Sequence, residues 1–185
     1  LFRSPLEAKG KINQETGAID WEIKYNFNEQ HLTSASQLLT DLTDQGVEFV
    51  AGSISIEKVG FNYTSGNNYE VVSQGDGAGD FTVSTDNSGS LAFTPKSNTT
   101  QAYVIKYSTK ITDPTERIIK NKVTNGTVTK EAQVSLIPNL LSKEAGTIDI
   151  FNRTMEWNIT VNAEKYTMKR PVVHDYFIGA VKDYT

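Results

Sequence analysis

A strict two-residue alternation of apolar and charged side chains constrains the fold of this chain more than any other feature. It is clearest between positions 19 and 25, where the apolar members are Ile19, Trp21, Ile23 and Tyr25 and the charged members are Asp20, Glu22 and Lys24. Successive side chains of a β-strand point to opposite faces. The alternation therefore predicts a strand with one buried face and one solvated face.

Further short strands are predicted along the first 137 residues. They are expected within 47–59, near 69–72, 81–84, 91–94 and 103–107, and as a pair between 117 and 134. Clusters of Gly, Asn, Asp and Ser separate them, and Asn125-Gly126 is a dipeptide typical of a tight hairpin turn. Only His31 to Leu42 is compatible with a helix, of about two or three turns. The pattern predicts an all-β fold, an immunoglobulin-like or jelly-roll-like β-sandwich.

The chain also contains an internal repeat. The hexapeptide WEIKYN at 21–26 recurs as WNITVN at 157–162. A repeat of this kind indicates that one structural unit is followed by a second copy. We therefore predict a complete β-sandwich module at 1–137 and the N-terminal part of a second, homologous module at 138–185, joined at Pro138-Asn139.

Two further pairs of residues support the repeat. Lys9 matches Lys143, and Asp41 matches Asp175. In each copy the Asp follows the Lys by the same 32 positions. A small insertion before the Trp of the second copy is offset by a deletion after it.

Composition narrows the class of protein. The 185 residues include no cysteine, which excludes disulfides, thiolate catalysis and cysteine-ligated metals. The net charge of −4 gives no reason to expect nucleic acid or an anionic membrane as partner. We predict no enzyme activity, cofactor or metal. The acidic turn at 75–80 is the best calcium candidate, but it lacks the spacing of known calcium loops.

The order of these motifs resembles the collagen-adhesin type of domain in surface proteins of Gram-positive bacteria. The elements are a Lys in the first strand, WEIKYN, an Asp about 30 residues later, YVIKYST at 103–109 and a late NKV at 121–123. The resemblance implies an extracellular module of a cell-wall-anchored adhesin that attaches to host matrix, collagen-like or other, beside neighbouring repeat modules. The alternative is a structural stalk or pilin-like spacer without a ligand. Signal peptide and wall anchor are expected outside this fragment.

Domains of this type commonly hold an isopeptide bond between a Lys and an Asn side chain, promoted by a buried acid. The resemblance implies that Lys9 and Asn121 form this bond and that Asp41 promotes it; Lys143 and Asp175 are the second-copy equivalents. Asn125 is the other candidate, but it lies in the predicted turn. Burial favours a neutral, nucleophilic amine, and a protonated carboxyl polarises the amide and relays a proton to departing ammonia. Such a reaction occurs once per molecule.

Overall fold

The computed structural model describes residues 3–64, 68–86, 90–113, 118–136, 141–162 and 171–175. The chain divides into two compact units, Leu1–Ile137 and Pro138–Thr185. The predicted joint at Pro138-Asn139 lies outside the described residues.

The described part of the first unit is built from strands and a single 3₁₀ turn at Ala78–Asp80. The strands are β1 Leu6–Ile12, β2 Ile19–Tyr25, β3 Leu38–Asp41, β4 Val47–Phe49, β5 Ser55–Tyr63, β6 Tyr69–Asp76, β7 Phe81–Thr85, β8 Leu91–Pro95, β9 Ala102–Ile111, β10 Ile118–Thr124 and β11 Thr129–Ser135.

These strands form two antiparallel sheets. In sheet 1 the order is β1-β2-β9-β5-β6, with β4 also paired to β9; in sheet 2 it is β11-β10-β3-β8-β7. One cluster of buried side chains takes members from both sheets, so the sheets enclose a common core. The predicted all-β sandwich is confirmed.

The core is rich in aromatic rings on the inner faces of the strands. Trp21 and Tyr107 are direct neighbours on β2 and β9, and both are buried. From sheet 2, the Phe81 ring meets the Tyr103 ring edge-on, with centroids 4.8 Å apart. Edge-to-face pairs of this kind add to the free energy gained by burying apolar area.

The helix considered for His31 to Leu42 is absent, and this prediction was wrong. Leu38, Thr40 and Leu42 are buried while Leu39 and Asp41 are exposed, which is the two-residue period of β3. Pairing of β3 with β8 and β10 stabilises the extended backbone. Tertiary pairing thus overrode a local sequence compatible with either structure. Among the described residues no helix is long and apolar enough to cross a membrane.

The predicted hairpin joins β10 to β11. The side-chain oxygen of Asn125 accepts hydrogen bonds from the backbone N–H groups of Thr127 and Val128. Gly126 has a φ of +85°, a left-handed conformation that glycine adopts without steric cost.

The described part of the second unit contains two paired strands, β12 Leu141–Asp149 and β13 Thr154–Val161. Both copies of the repeated hexapeptide consist of a strand that ends in a left-handed Asn. The φ angles are 58° at Asn26 and 52° at Asn162. The homology of the second unit remains a prediction, which this shared conformation supports.

Gly10 allows β1 to approach the core closely. A Cβ atom at this position would lie 2.4 Å from the Trp21 ring and 2.7 Å from the Val134 side chain. The ring of Trp21 occupies the space that any larger residue would need. The inner face of β1 therefore tolerates only glycine here without movement of its neighbours.

We expect Gly10→Ala to lower the free energy of unfolding by about 1–3 kcal/mol, because the methyl group overpacks the core. Urea denaturation followed by tryptophan fluorescence would measure the change. Gly79→Ala is the control, since a Cβ there meets no atom within 4 Å. Equal stability of the two variants would contradict the packing argument.

Candidate functional site

A polar cluster lies inside the largely apolar core of the first unit. Asn121, on the inner face of β10, has no exposed surface. Its Nδ2 donates a hydrogen bond of 2.6 Å to the hydroxyl of Tyr107. Thr40 on β3 also hydrogen-bonds that hydroxyl. We call Thr40, Tyr107 and Asn121 the polar core cluster; it connects the two sheets.

Thr40 has a second role in this cluster. Its Oγ1 accepts a hydrogen bond of 2.8 Å from the backbone N–H of Leu91 on β8. The side chain thereby supplies a partner for a buried donor where β3 and β8 are no longer paired residue by residue.

The electrostatics of the cluster follow from its burial. Removal from water raises the pKa of Tyr107 to about 12, although the hydrogen bonds with Thr40 and Asn121 act in the opposite direction. The Oδ1 atom of Asn121 is buried and has no hydrogen-bond partner. An unsatisfied buried carbonyl costs about 1–3 kcal/mol. The cluster is therefore only partly satisfied.

Lys9 does not face this cluster. It lies on the outer face of β1 with its side chain 70% exposed, and its Nζ forms an ion pair of 2.9 Å with Glu22. Its neighbours Glu7 and Lys11 are also directed outward. The inner face of β1 instead carries apolar residues that pack on the core, including Leu6 and Ala8.

Asp41 is also directed away from Asn121. It is exposed at the end of β3, and its carboxylate accepts a hydrogen bond from the backbone N–H of Thr43. The structure therefore does not bring Lys9, Asp41 and Asn121 together. Of the three residues assigned by resemblance, only Asn121 occupies a buried position.

The sequence contained a signal for this difference that the spacing argument missed. Charged residues alternate with apolar or small ones along 6–12, and Lys9 belongs to the charged set. By the same period, Thr40 rather than Asp41 shares a face with Leu38 and Leu42. Lys9 and Asp41 each lie one residue from an inner-face position, Ala8 on β1 and Thr40 on β3.

In the second unit the structure does bring the predicted pair together. Lys143 Nζ lies 2.5 Å from Asp175 Oδ1. The same ammonium lies 4.3 Å from the centroid of the Trp157 ring, within the range of a cation–π interaction. Lys143 on β12 and Trp157 on β13 thus lie on the same face of this hairpin.

The acidic turn at 75–80 uses its carboxylates within the protein. Asp76 accepts a hydrogen bond from the backbone N–H of Ala78. Asp80 accepts one from the hydroxyl of Tyr103 and pairs with Lys58. Within the described ranges no group of three or more His, Cys, Asp or Glu side chains is arranged to hold a metal.

We expect Tyr107→Phe to lower the free energy of unfolding by about 1–3 kcal/mol, because it leaves the buried amide of Asn121 without its partner. Chemical denaturation would measure the loss. Tyr69→Phe, on the outer surface, removes the same atom from a more exposed ring and is the control. An unchanged Tyr107→Phe variant would show that the cluster contributes nothing to stability.

Stability should also fall at alkaline pH. An unfolded tyrosine ionises near pH 10, whereas Tyr107 in the fold keeps its proton until about pH 12. Below pH 10 both states are protonated and the effect is absent. Between pH 10 and 12 the unfolded state loses the proton first, which costs the native state about 2 kcal/mol. Denaturation curves across this range should show a shallower decline for Tyr107→Phe than for Tyr69→Phe.

The architecture of the first unit is similar to that of known proteins. A family described as the collagen binding domain matches residues 4–134. The crystal structure of collagen adhesin from Staphylococcus aureus is 13% identical with a TM-score of 0.51. The match covers 85% of this chain and 51% of that one. At this identity the similarity is one of fold.

Two further solved structures are similar at a lower score. The collagen binding subdomain of the Enterococcus faecalis surface protein ACE is 14% identical, with 73% of this chain and 99% of that one covered and a TM-score of 0.47. The collagen binding domain of the Erysipelothrix rhusiopathiae surface protein RspB is 15% identical, with 86% and 46% covered and a TM-score of 0.45.

No curated protein matches the chain at a significant level. The family match, however, spans β1 to β11 and therefore the whole described sandwich of the first unit. It confirms the resemblance inferred from the order of the motifs. This chain belongs to the collagen binding domain family.

Proposed function

We propose that the first unit is an extracellular adhesin module that binds collagen in the host matrix, on the surface of a Gram-positive bacterium. The observation that carries this proposal is the family match over residues 4–134, which coincides with the two packed sheets of the described residues. A Lys9–Asn121 bond is not part of the proposed function, because Lys9 and Asp41 face solvent.

A patch on the outer face of sheet 1 has side chains suited to this ligand. We call Phe61, Tyr63, Tyr69 and Val71 the aromatic patch. Across β5 and β6, Tyr63 lies directly opposite Tyr69 and Phe61 directly opposite Val71, so all four share one face. Tyr63 is 58% exposed and Val71 43% exposed.

Arg3 holds this patch in place. Its guanidinium carbon lies 3.9 Å from the centroid of the Phe61 ring and within 6 Å of both tyrosine rings. It donates hydrogen bonds to the Tyr63 hydroxyl, the Phe27 backbone carbonyl and the Glu29 carboxylate. Rings fixed in this way lose little conformational entropy when a ligand binds.

The chemistry of collagen matches such a surface. Its three chains are rigid polyproline II helices, and proline-rich segments of that conformation dock on surfaces lined with aromatic rings. The outer face of β1, β2 and β9 differs, because ion pairs of Glu22 with Lys9 and Lys106 cover it. Binding is therefore assigned to the aromatic patch.

Binding of the native protein to immobilised triple-helical collagen would test the function. We expect saturable binding to collagen and weaker or no binding to fibronectin and fibrinogen. Failure to bind any of the three would overturn the adhesin proposal and favour a stalk or spacer.

A double variant, Tyr63→Ala with Tyr69→Ala, would test the location. We expect collagen binding to weaken by about 30-fold or more, because exposed aromatic anchors commonly contribute about 1–2 kcal/mol each and about 1.4 kcal/mol corresponds to a factor of ten. Leu39→Ala, an exposed apolar residue on the other sheet, is the control. Circular dichroism would verify that both variants fold. Equal affinities would place the binding surface elsewhere.

A further inference from the structure

The two units can be compared residue by residue because each contains the motif Trp-x-Ile. In the second unit, Lys143 on β12 pairs with Ile159, two residues after Trp157. In the first unit, the residue that pairs with the equivalent Ile23 is Ala8. Ala8 is therefore the first-unit equivalent of Lys143. Lys9 lies one residue later, on the opposite face of β1.

A local irregularity explains why spacing alone misaligned the two lysines. Between Ala145 and Ile148 the pairing of β12 with β13 shifts in register. The pairing of β1 with β2 runs without a shift from Leu6 to Ile12. A bulge of this kind adds residues to one strand without moving the rest of the pattern.

The contacts of β1 with β11 relate the position of Ala8 to that of Asn121. Pro5, before β1, and Thr127 and Val128, before β11, line one small pocket, so the two strands begin at the same end of the sandwich. Further along, Gly10 faces Val134 of β11. Two residues earlier on each strand are Ala8 and Ala132, and Ala132 pairs with Asn121.

Thr40 occupies the third position of the site, the one at which an acid would promote the bond. It is the inner-face residue of β3 that hydrogen-bonds the Tyr107 hydroxyl, to which Asn121 donates. A carboxyl group introduced at position 40 would lie beside the Tyr107 hydroxyl to which Asn121 donates. Asn121 also retains a buried Oδ1 without a partner, an acceptor for the proton of a neutral carboxyl.

We infer that Ala8, Thr40 and Asn121 form a dormant cross-linking site. The electrophile and its surroundings are present, but the nucleophile and the acid are replaced by Ala8 and Thr40. At this site the two sheets of the first unit are therefore joined by the hydrogen bond between Tyr107 and Asn121, and no covalent bond links their side chains. This inference does not depend on the ligand.

The reaction that the dormant site would support is balanced without a further reagent. A neutral lysine amine introduced at position 8 attacks Cγ of Asn121, and a new C–N bond forms. The bond from Cγ to Nδ2 breaks, and the carboxyl introduced at position 40 relays a proton from the amine to the departing nitrogen. Ammonia leaves, and no atom is oxidised or reduced.

The native chain gives the first test. Intact mass spectrometry should show the mass calculated from the sequence, and Lys9→Ala should leave the denaturation midpoint unchanged. Loss of about 17 Da, one ammonia, with linked peptides containing Lys9 and Asn121 would overturn the inference. The linked peptides must be sequenced, because a succinimide at Asn125-Gly126 would also lose ammonia.

The second test restores the missing groups. We expect Ala8→Lys with Thr40→Asp to lose about 17 Da and to yield a branched peptide joining positions 8 and 121. Adding Asn121→Ala should abolish the loss, whereas adding Lys9→Ala should not. A folded double variant without the mass loss would overturn the inference, and so would a double variant that fails to fold, because the site is inferred to accept both side chains.

Discussion

The contact between Trp21 and Gly10 fixes the register on which the rest of the first unit depends. The indole ring lies so close to β1 that a single methyl group at position 10 would overlap it. A slip of one residue would direct Glu7, Lys9 and Lys11 into the core and expose Leu6. The cost of burying those charges makes the observed register the only stable one.

The pairing registers of the other strands determine which polar groups the core contains. The strands admit Thr40, Tyr107 and Asn121 to the interior, and they exclude Lys9 and Asp41. A cluster of neutral hydrogen-bonding groups is far less costly to bury than an ammonium and a carboxylate. The cluster still leaves one acceptor unsatisfied, so it links the two sheets at some expense of stability.

The outer face of sheet 1 combines two kinds of surface. Ion pairs between neighbouring strands cover the part formed by β1, β2 and β9. Exposed pairs of this kind contribute little to stability, but they keep that surface solvated. Towards β6 the surface becomes apolar and aromatic, and Arg3 from the N-terminal segment packs on it. The two regions therefore favour different partners.

The sequence alone predicted most of the strands, because the two-residue period and the turn dipeptides are local signals. Strand β2 and strands β4 to β11 fall where those signals lie. It also indicated the repeat and the family, which depend on the order of motifs along the chain. It did not predict β3, whose extended conformation depends on pairing with strands distant in sequence.

The site was decided by tertiary structure. Spacing in sequence identified Lys9 and Asp41, whereas the fold directs Ala8 and Thr40 to the inner faces of their strands, where Asn121 is also buried. The physical reason is that one residue along a strand reverses the direction of the side chain, and a single bulge changes the spacing by as much. The aromatic patch arose in the same way, because only the pairing of β5 with β6 brings Phe61, Tyr63, Tyr69 and Val71 onto one face.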